Sequence, residues 1–113
     1  MAAPVISLED LTVRFQLSPR QLDMELREEH LGEASRIIDS HQIVGPELGL
    51  SQQEMTAICS DVNGVELQKI EMLRIWKQKY LWRATYRKLI EVFLRCGRGD
   101  HARKVCELLT QSK

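Results

Sequence analysis

The feature that most constrains the fold is a succession of helix-start and helix-stop signals with helical apolar spacing between them. Ser51-Gln52-Gln53-Glu54 is a capping box, in which the serine and glutamate side chains accept hydrogen bonds from each other's backbone N–H groups. Ser18-Pro19 opens an earlier helix, and Asn63-Gly64 and Gly97 interrupt the chain further on. Between these signals apolar residues recur at steps of three and four, and no strand pattern alternates with them. The sequence therefore predicts an all-α chain.

The pattern predicts six helices joined by short links. The first covers 19–39, either as one continuous helix or as a short helical turn followed by a main helix near 28–39. The remaining helices are expected over 41–50, 51–62, 65–79, 84–96 and from Asp100 onward. Because short links favour antiparallel neighbours, we expect a compact six-helix antiparallel bundle.

The N-terminal segment has a different pattern. Leu11, Val13, Phe15 and Leu17 alternate with polar residues, and a period of two is typical of extended backbone. We therefore expect residues 1–17 to form an extended segment with one apolar edge, which packs along the surface of a helical domain over 18–113.

Size and composition limit the class of protein. The 113 residues, of 13.1 kDa, suffice for one domain with a single core. The three cysteines are odd in number and lack paired spacing, which argues against a disulfide scaffold and for reduced thiols. The N-terminus lacks the basic region of a signal peptide, and no apolar run reaches the length of a membrane span. These features predict a cytoplasmic protein that binds no membrane.

The net charge is zero, but the two halves of the chain carry opposite charges. Residues 1–71 contain 13 acidic and 5 basic residues, whereas residues 72–113 contain 3 acidic and 11 basic residues. If the fold keeps the halves apart, it presents an acidic surface and a basic surface that suit association between copies. If the fold interleaves them, the charges are solvated helix faces.

Three stretches of the chain resemble the death domain, a six-helix member of the death-fold superfamily. They are residues 45–51 (GPELGLS), 72–77 (MLRIWK) and 84–93 (ATYRKLIEVF), followed by Asp100, Ala102, Val105 and Leu108-Leu109. The similarity covers roughly residues 22–112. His41 stands where death domains commonly have a tryptophan at the start of the second helix, so we expect that corner of the core to be filled differently.

The resemblance implies a Greek-key bundle that functions by binding. Death domains associate with other death domains through surface patches and build signalling platforms in apoptosis, inflammation and innate immunity. They have no active site and need no cofactor. The expected partners are therefore other death-domain proteins, with self-association as an open alternative, and no small-molecule substrate.

The basic C-terminal third supplies the first candidate binding surface. Arg83, Arg87 and Lys88 lie at the start of the fifth predicted helix, and Arg95 lies near its end. The alternative is that these residues serve solubility and pair locally, as in Arg87–Glu91.

Acidic residues of the second and third predicted helices supply the counterpart, with Glu47 and Asp61 as the candidates. Glu54 has a competing role in the capping box. Trp76 lies on the apolar stripe of the longest predicted helix and is expected in the core. Trp82 is expected in the core as well, with an exposed anchor beside Arg83 as the alternative.

Catalytic and metal chemistry have little support. The segment 96–100 contains two glycines but lacks the lysine and the serine or threonine of a phosphate loop. The three histidines and the cysteines do not have zinc-ligand spacing, so we expect no metal, no cofactor and no catalytic residue. A rival function is nucleic-acid binding by the basic residues of 72–113, but the neutral chain and the lack of a helix-turn-helix pattern make nucleic acid an unlikely partner.

Overall fold

The structure is a computed structural model that describes residues 7–111, and it contains eight α-helices and two 3₁₀ turns in that range. The helices are α1 (Leu8–Phe15), α2 (Pro19–Leu22), α3 (Leu31–Ile37), α4 (His41–Glu47), α5 (Gln52–Asp61), α6 (Val65–Tyr80), α7 (Tyr86–Arg95) and α8 (Gly99–Gln111). The 3₁₀ turns are Glu28–His30, directly before α3, and Leu81–Arg83, directly after α6. Within the described range no β-strand forms, so the predicted all-α bundle is confirmed.

Six of the helices, α3 to α8, correspond to the six predicted ones. Over residues 19–39 the structure has a short α2 followed by a main helix, α3, which begins after a 3₁₀ turn. Of the two alternatives predicted for this stretch, the second is therefore confirmed. The residues between them are extended because they pair with the link before α7. Leu26 N–H donates to Ala84 O at 2.9 Å, and Tyr86 N–H donates to Met24 O at 3.2 Å. These bonds hold the N-terminal part of the chain against the start of α7.

The prediction of an extended N-terminal segment over 1–17 is wrong for Leu8–Phe15, which form α1. Ser7 and Asp10 make a capping box at its start, with both reciprocal hydrogen bonds present. Leu8, Leu11 and Phe15 are spaced by three and four, and this helical period outweighs the alternation. Helix α1 packs against α7 and α8, and its Leu11 is buried whereas Val13 is 77% exposed. Residues 1–6 lie outside the described range.

The core is centred on α7. Five of its side chains are completely buried: Tyr86, Leu89, Ile90, Val92 and Phe93. Helices α1, α2, α4 and α8 all pack against α7, and α6 packs on α3, α4 and α5. Trp76 of α6 is 1% exposed, so its predicted place in the core is confirmed.

The ends of the helices follow the turn chemistry of the sequence. Gly49 has φ +97° and closes α4, where Gly49 N–H donates to Pro46 O and Leu50 N–H donates to Gly45 O. His41 at the start of α4 is buried, and its Nε2 has no hydrogen-bond partner among the described residues. A histidine therefore fills the corner for which the resemblance leads one to expect a tryptophan.

The packing of α1 gives a direct test. Leu11→Ala is expected to lower the free energy of unfolding by about 2–5 kcal/mol, because it leaves a cavity among buried side chains. Val13→Ala on the same helix is the matched control and is expected to change it by less than about 0.5 kcal/mol. Urea unfolding of both variants measures the difference, and equal stability of the two would contradict the docking of α1.

Candidate interaction surface

Three of the candidate basic residues come together at the start of α7. Arg83 ends the 3₁₀ turn after α6, and Arg87 and Lys88 lie in the first turn of α7. The Thr85 hydroxyl caps this turn by accepting a hydrogen bond from Lys88 N–H at 3.2 Å. The three side chains line one open groove of about 410 Å³, which we call the α7 groove, together with the exposed Trp82.

The Arg87 guanidinium already has an acidic partner within the chain, so it can bind a second molecule only by giving up or sharing that partner. Its Nε donates to Asp23 Oδ1 at 2.7 Å, and this hydrogen bond raises the pKa of Arg87 above its usual value. The alternative in which Arg87 pairs with Glu91 is therefore replaced by a pair with Asp23, a residue of the N-terminal part. The contact ties the link after α2 to α7.

Two candidates that were expected on separate surfaces contact each other. Arg95 Nε lies 3.4 Å from Glu47 Oε2, and Arg95 Nη2 donates to Glu47 O at 3.3 Å. Glu47 also shares an open groove of about 300 Å³ with Arg83 and Lys88, across the end of α4. Asp61 lies apart from this group, exposed at the end of α5, and no ion pair joins it to another residue of 7–111.

The two oppositely charged halves of the sequence are interleaved by the fold. Six ion pairs join an acid of 1–71 to a base of 72–113: Glu28–Lys77, Glu54–Lys79, Glu71–Arg74, Asp23–Arg87, Glu47–Arg95 and Asp39–Arg98. For these residues the expectation of separate acidic and basic surfaces is wrong, and the alternative of interleaved charges holds. Arg83 and Lys88 have no ion-pair partner within 7–111, so their charges remain open to a second molecule.

Trp82 lies on the surface, and the prediction that it is a core residue is wrong. Its side chain is 75% exposed. Leu81 has φ +53°, which turns the chain at the end of α6 and carries Leu81 and Trp82 outward while Ala84 enters the core. The Arg83 guanidinium lies 5.6 Å from the Tyr80 ring centroid and 5.9 Å from that of Trp82, within the range of cation–π attraction.

Leu67 continues the apolar stripe of α6, yet it is 58% exposed, and residues 63–67 are all exposed. The exposed surface after α6 also includes Leu81, which is 59% exposed. Its signal in the sequence is its position directly before an exposed Trp-Arg pair, a combination favoured at interfaces.

Glu54 has the predicted role in the capping box and one further partner. Its carboxylate accepts hydrogen bonds from Ser51 N–H at 2.7 Å and from Lys79 Nζ at 2.8 Å. The hydrogen bond from Lys79, and then that from the Ser51 backbone, lower the pKa of Glu54 below its ordinary value of 4.5. The charge of Glu54 therefore serves the contact between α5 and α6.

The three cysteines have different environments. Cys59 of α5 is exposed. Cys96 is partly buried, and burial raises the pKa of its thiol. Cys106 of α8 is fully buried, and burial raises its pKa to about 11.

Among residues 7–111, no group of three or more histidine, cysteine, aspartate or glutamate side chains is arranged to hold a metal ion. In the same part of the chain, no helix combines the length and apolar character that crossing a bilayer requires.

Comparison with known proteins gives one match. The family model described as Death domain matches residues 31–109, which extend from α3 into α8. The three stretches that resemble this family all lie inside the matched region. No curated protein and no solved structure matches the chain significantly.

The Glu54–Lys79 contact predicts a pH dependence of stability. A carboxylate whose pKa is lowered by folding stabilises the folded state above its ordinary pKa, and this contribution disappears as the pH falls through the lowered value. Glu54→Gln keeps the capping hydrogen bond but loses the charge. We expect this variant to be less stable than the wild type at neutral pH and equally stable in strong acid.

Urea unfolding at a series of pH values measures that difference. The control is Glu33→Gln, an exposed change with no ion pair to lose within 7–111. A gap between wild type and Glu54→Gln that does not narrow on acidification would contradict the assignment.

Proposed function

This chain belongs to the Death domain family, and we propose that it is an interaction module that binds other death domains in apoptotic, inflammatory or innate-immune signalling assemblies. The family is one of protein–protein interaction. The observation that carries the finer assignment is the pair Arg83 and Lys88, which lack an acidic partner within 7–111 and lie beside the exposed Trp82. Tryptophan and arginine are the residues that contribute most often to the energy of protein interfaces.

The partner surface that fits is acidic. Carboxylates of a partner would meet Arg83 and Lys88 without competing against an internal ion pair, and complementary charge speeds encounter and selects the partner. Arg87 and Arg95 contribute to partner binding differently, because both are already paired with an acid of the same chain. Each of them must give up or share an acid, Asp23 or Glu47, before it binds a partner fully. Asp61 belongs to a separate surface, at the opposite end of α6.

Death domains are interaction modules, and we extend this to the chain as a whole. We propose that it has no catalytic residue, needs no cofactor and acts in the cytoplasm. The cysteines support a reducing compartment, because Cys59, Cys96 and Cys106 are all free thiols. Nucleic-acid binding has less support than the net charge of residues 72–113 suggests, since six of their basic side chains are paired with acids of the same chain.

Charge reversal tests the proposal. We expect the wild type to bind at least one member of a panel of purified death domains, and Arg83→Glu/Lys88→Glu to weaken that binding by about tenfold or more. The matched control is Arg14→Glu/Arg20→Glu, which changes two exposed arginines of α1 and α2 by the same charge. Calorimetry or optical biosensing at low and moderate salt measures the affinities.

Two results would overturn the proposal. One is a wild type that binds no death domain of the panel and does not bind itself. The other is an equal loss of affinity in both charge-reversed variants, which would show a general charge effect and no specific surface.

A further inference from the structure

The part of the chain that precedes the family match folds back onto α7. The Death domain model matches residues 31–109, and residues 7–27, which we call the N-terminal arm, lie outside it. The arm contains α1 and α2, and both helices pack against α7. Four leucines of the arm are buried: Leu11, Leu17, Leu22 and Leu26. The arm is therefore docked firmly on the helix that carries the candidate binding residues.

The backbone of the arm is fixed around Asp23. Two backbone hydrogen bonds join Met24 and Leu26 to the link before α7, at 3.2 and 2.9 Å. Glu25, between them, forms an antiparallel bridge with Thr85. Asp23 comes directly before this bridge, and its own N–H closes the last turn of α2. The arm therefore brings the side chain of Asp23 to the first turn of α7.

The carboxylate of Asp23 is part of the α7 groove. Its Oδ1 accepts a hydrogen bond from Arg87 Nε at 2.7 Å. Among the ion pairs within 7–111, this is the one whose two members both line that groove. The Asp23 side chain is 60% exposed and that of Arg87 is 34% exposed, so a second molecule can reach the pair.

The α7 groove carries less positive charge than its basic residues alone would give it. Arg83, Arg87 and Lys88 line it together with two acids, Asp23 and Glu91, so its net charge is one positive charge. The two acids differ in their contacts. Glu91 has no ion pair among the described residues, whereas Asp23 contacts Arg87 directly. Asp23 therefore reduces the charge of the groove and also occupies one of its bases.

We propose that Asp23 is an intramolecular competitor for the α7 groove, which the carboxylates of a partner displace from Arg87 on binding. This inference rests on the proposed function and adds its regulation, since the arm sets how tightly the groove binds and which acids it accepts. A carboxylate of the same chain competes at a high effective concentration. A partner acid therefore meets Arg83 and Lys88 first, because neither base has an ion pair within 7–111.

Only the side chain of Asp23 has to move for this exchange. Buried leucines and backbone hydrogen bonds hold the arm, while the exposed Asp23 carboxylate can turn into water. The exchange replaces one ion pair of Arg87 with another, so no charge is left buried without a partner. A partner with a single carboxylate is expected to stay on Arg83 and Lys88. A partner with several neighbouring carboxylates also gains Arg87, so Asp23 selects for clustered acids.

Matched neutral variants test the competition. Asp23→Asn keeps the shape of the side chain and an acceptor oxygen but removes the charge, and a neutral hydrogen bond is about half as strong. Glu91→Gln is the matched control, because it removes an equal charge from the same groove without breaking an ion pair. Asp39→Asn breaks an ion pair with Arg98 that does not line the groove. Circular dichroism and thermal unfolding check that all three variants are folded.

The probe is a hexaglutamate peptide, titrated at about 20 mM and about 150 mM salt. We expect Asp23→Asn to bind it about two- to fivefold more tightly than the wild type, the range that an exposed ion pair gives. This gain is expected to persist at the higher salt concentration, because the displaced contact is direct. Glu91→Gln is expected to gain less and to lose that gain at the higher salt concentration, and Asp39→Asn is expected to bind like the wild type.

The ¹H–¹⁵N NMR signals of the protein give the affinities and locate the binding. In the wild type, the peptide is expected to shift the Arg87 Nε–H signal, because the acceptor of that group changes from Asp23 to the peptide. The backbone N–H signals of Leu26 and Tyr86, which report the docking of the arm, are expected to shift much less.

The inference fails if Asp23→Asn binds the peptide no more tightly than the wild type, which includes the absence of binding by either protein. It also fails if Asp23→Asn and Glu91→Gln gain equally at both salt concentrations, which would show a general effect of charge. The proposed function is tested separately by the panel of death domains. A panel without a binder would reject that function, while a gain confined to Asp23→Asn would still establish competition within the groove.

Discussion

The burial of the apolar face of α7 is the constraint on which the rest of the structure depends. Its apolar side chains fill the space between α1, α4 and α8, and burying each one contributes about 1.5–3 kcal/mol relative to exposure. Because the apolar face of α7 is buried, its charged residues lie on the side that faces solvent: Arg87, Lys88, Glu91 and Arg95. The position of the basic surface is thus a consequence of core packing. Backbone hydrogen bonds from Leu26 and Tyr86 fix where α7 begins.

The charge distribution shows how a neutral chain retains specific binding groups. Most of the opposite charges of its two halves form ion pairs with each other inside the chain. An exposed pair of this kind contributes about 0.2–1 kcal/mol to the stability of the fold. Their combined effect is positional, since they join the N-terminal elements to α6, α7 and the link after α7. The charges that this network leaves over, above all Arg83 and Lys88, are the informative ones. A count of net charge along the sequence does not distinguish the two kinds.

Local signals in the sequence predicted the local structure well. The capping box at Ser51 and the core position of Trp76 follow from residue type and helical spacing, and the structure confirms them. The errors concern tertiary placement. Leu67 lies on the apolar stripe of α6 and is nevertheless exposed, and Trp82 follows a turn whose direction depends on the conformation of Leu81.

The sequence indicated which residues form the candidate site but not how they are arranged. Arg83, Arg87 and Lys88 come together because they are close in sequence, on one turn and one helix start. The pairs Arg87–Asp23 and Arg95–Glu47 join residues far apart in sequence, and no spacing rule indicates them. The second period in α1 was visible in the sequence, since Leu8, Leu11 and Phe15 have helical spacing. Alternation and helical spacing overlapped there, and the burial of Leu11 decided between them.

The unequal cysteines give this chain a built-in site for chemical labelling. Alkylating reagents react with thiolates, and a thiol with a pKa of about 11 is almost entirely protonated at neutral pH. Cys106 is therefore protected both by its burial and by its raised pKa. Cys59 is exposed on α5, two residues before the acidic end of that helix. Brief treatment with a maleimide dye should therefore attach a fluorophore chiefly at one position of the unaltered protein. That fluorophore would lie close enough to the start of α6 to report by quenching or anisotropy when another molecule approaches.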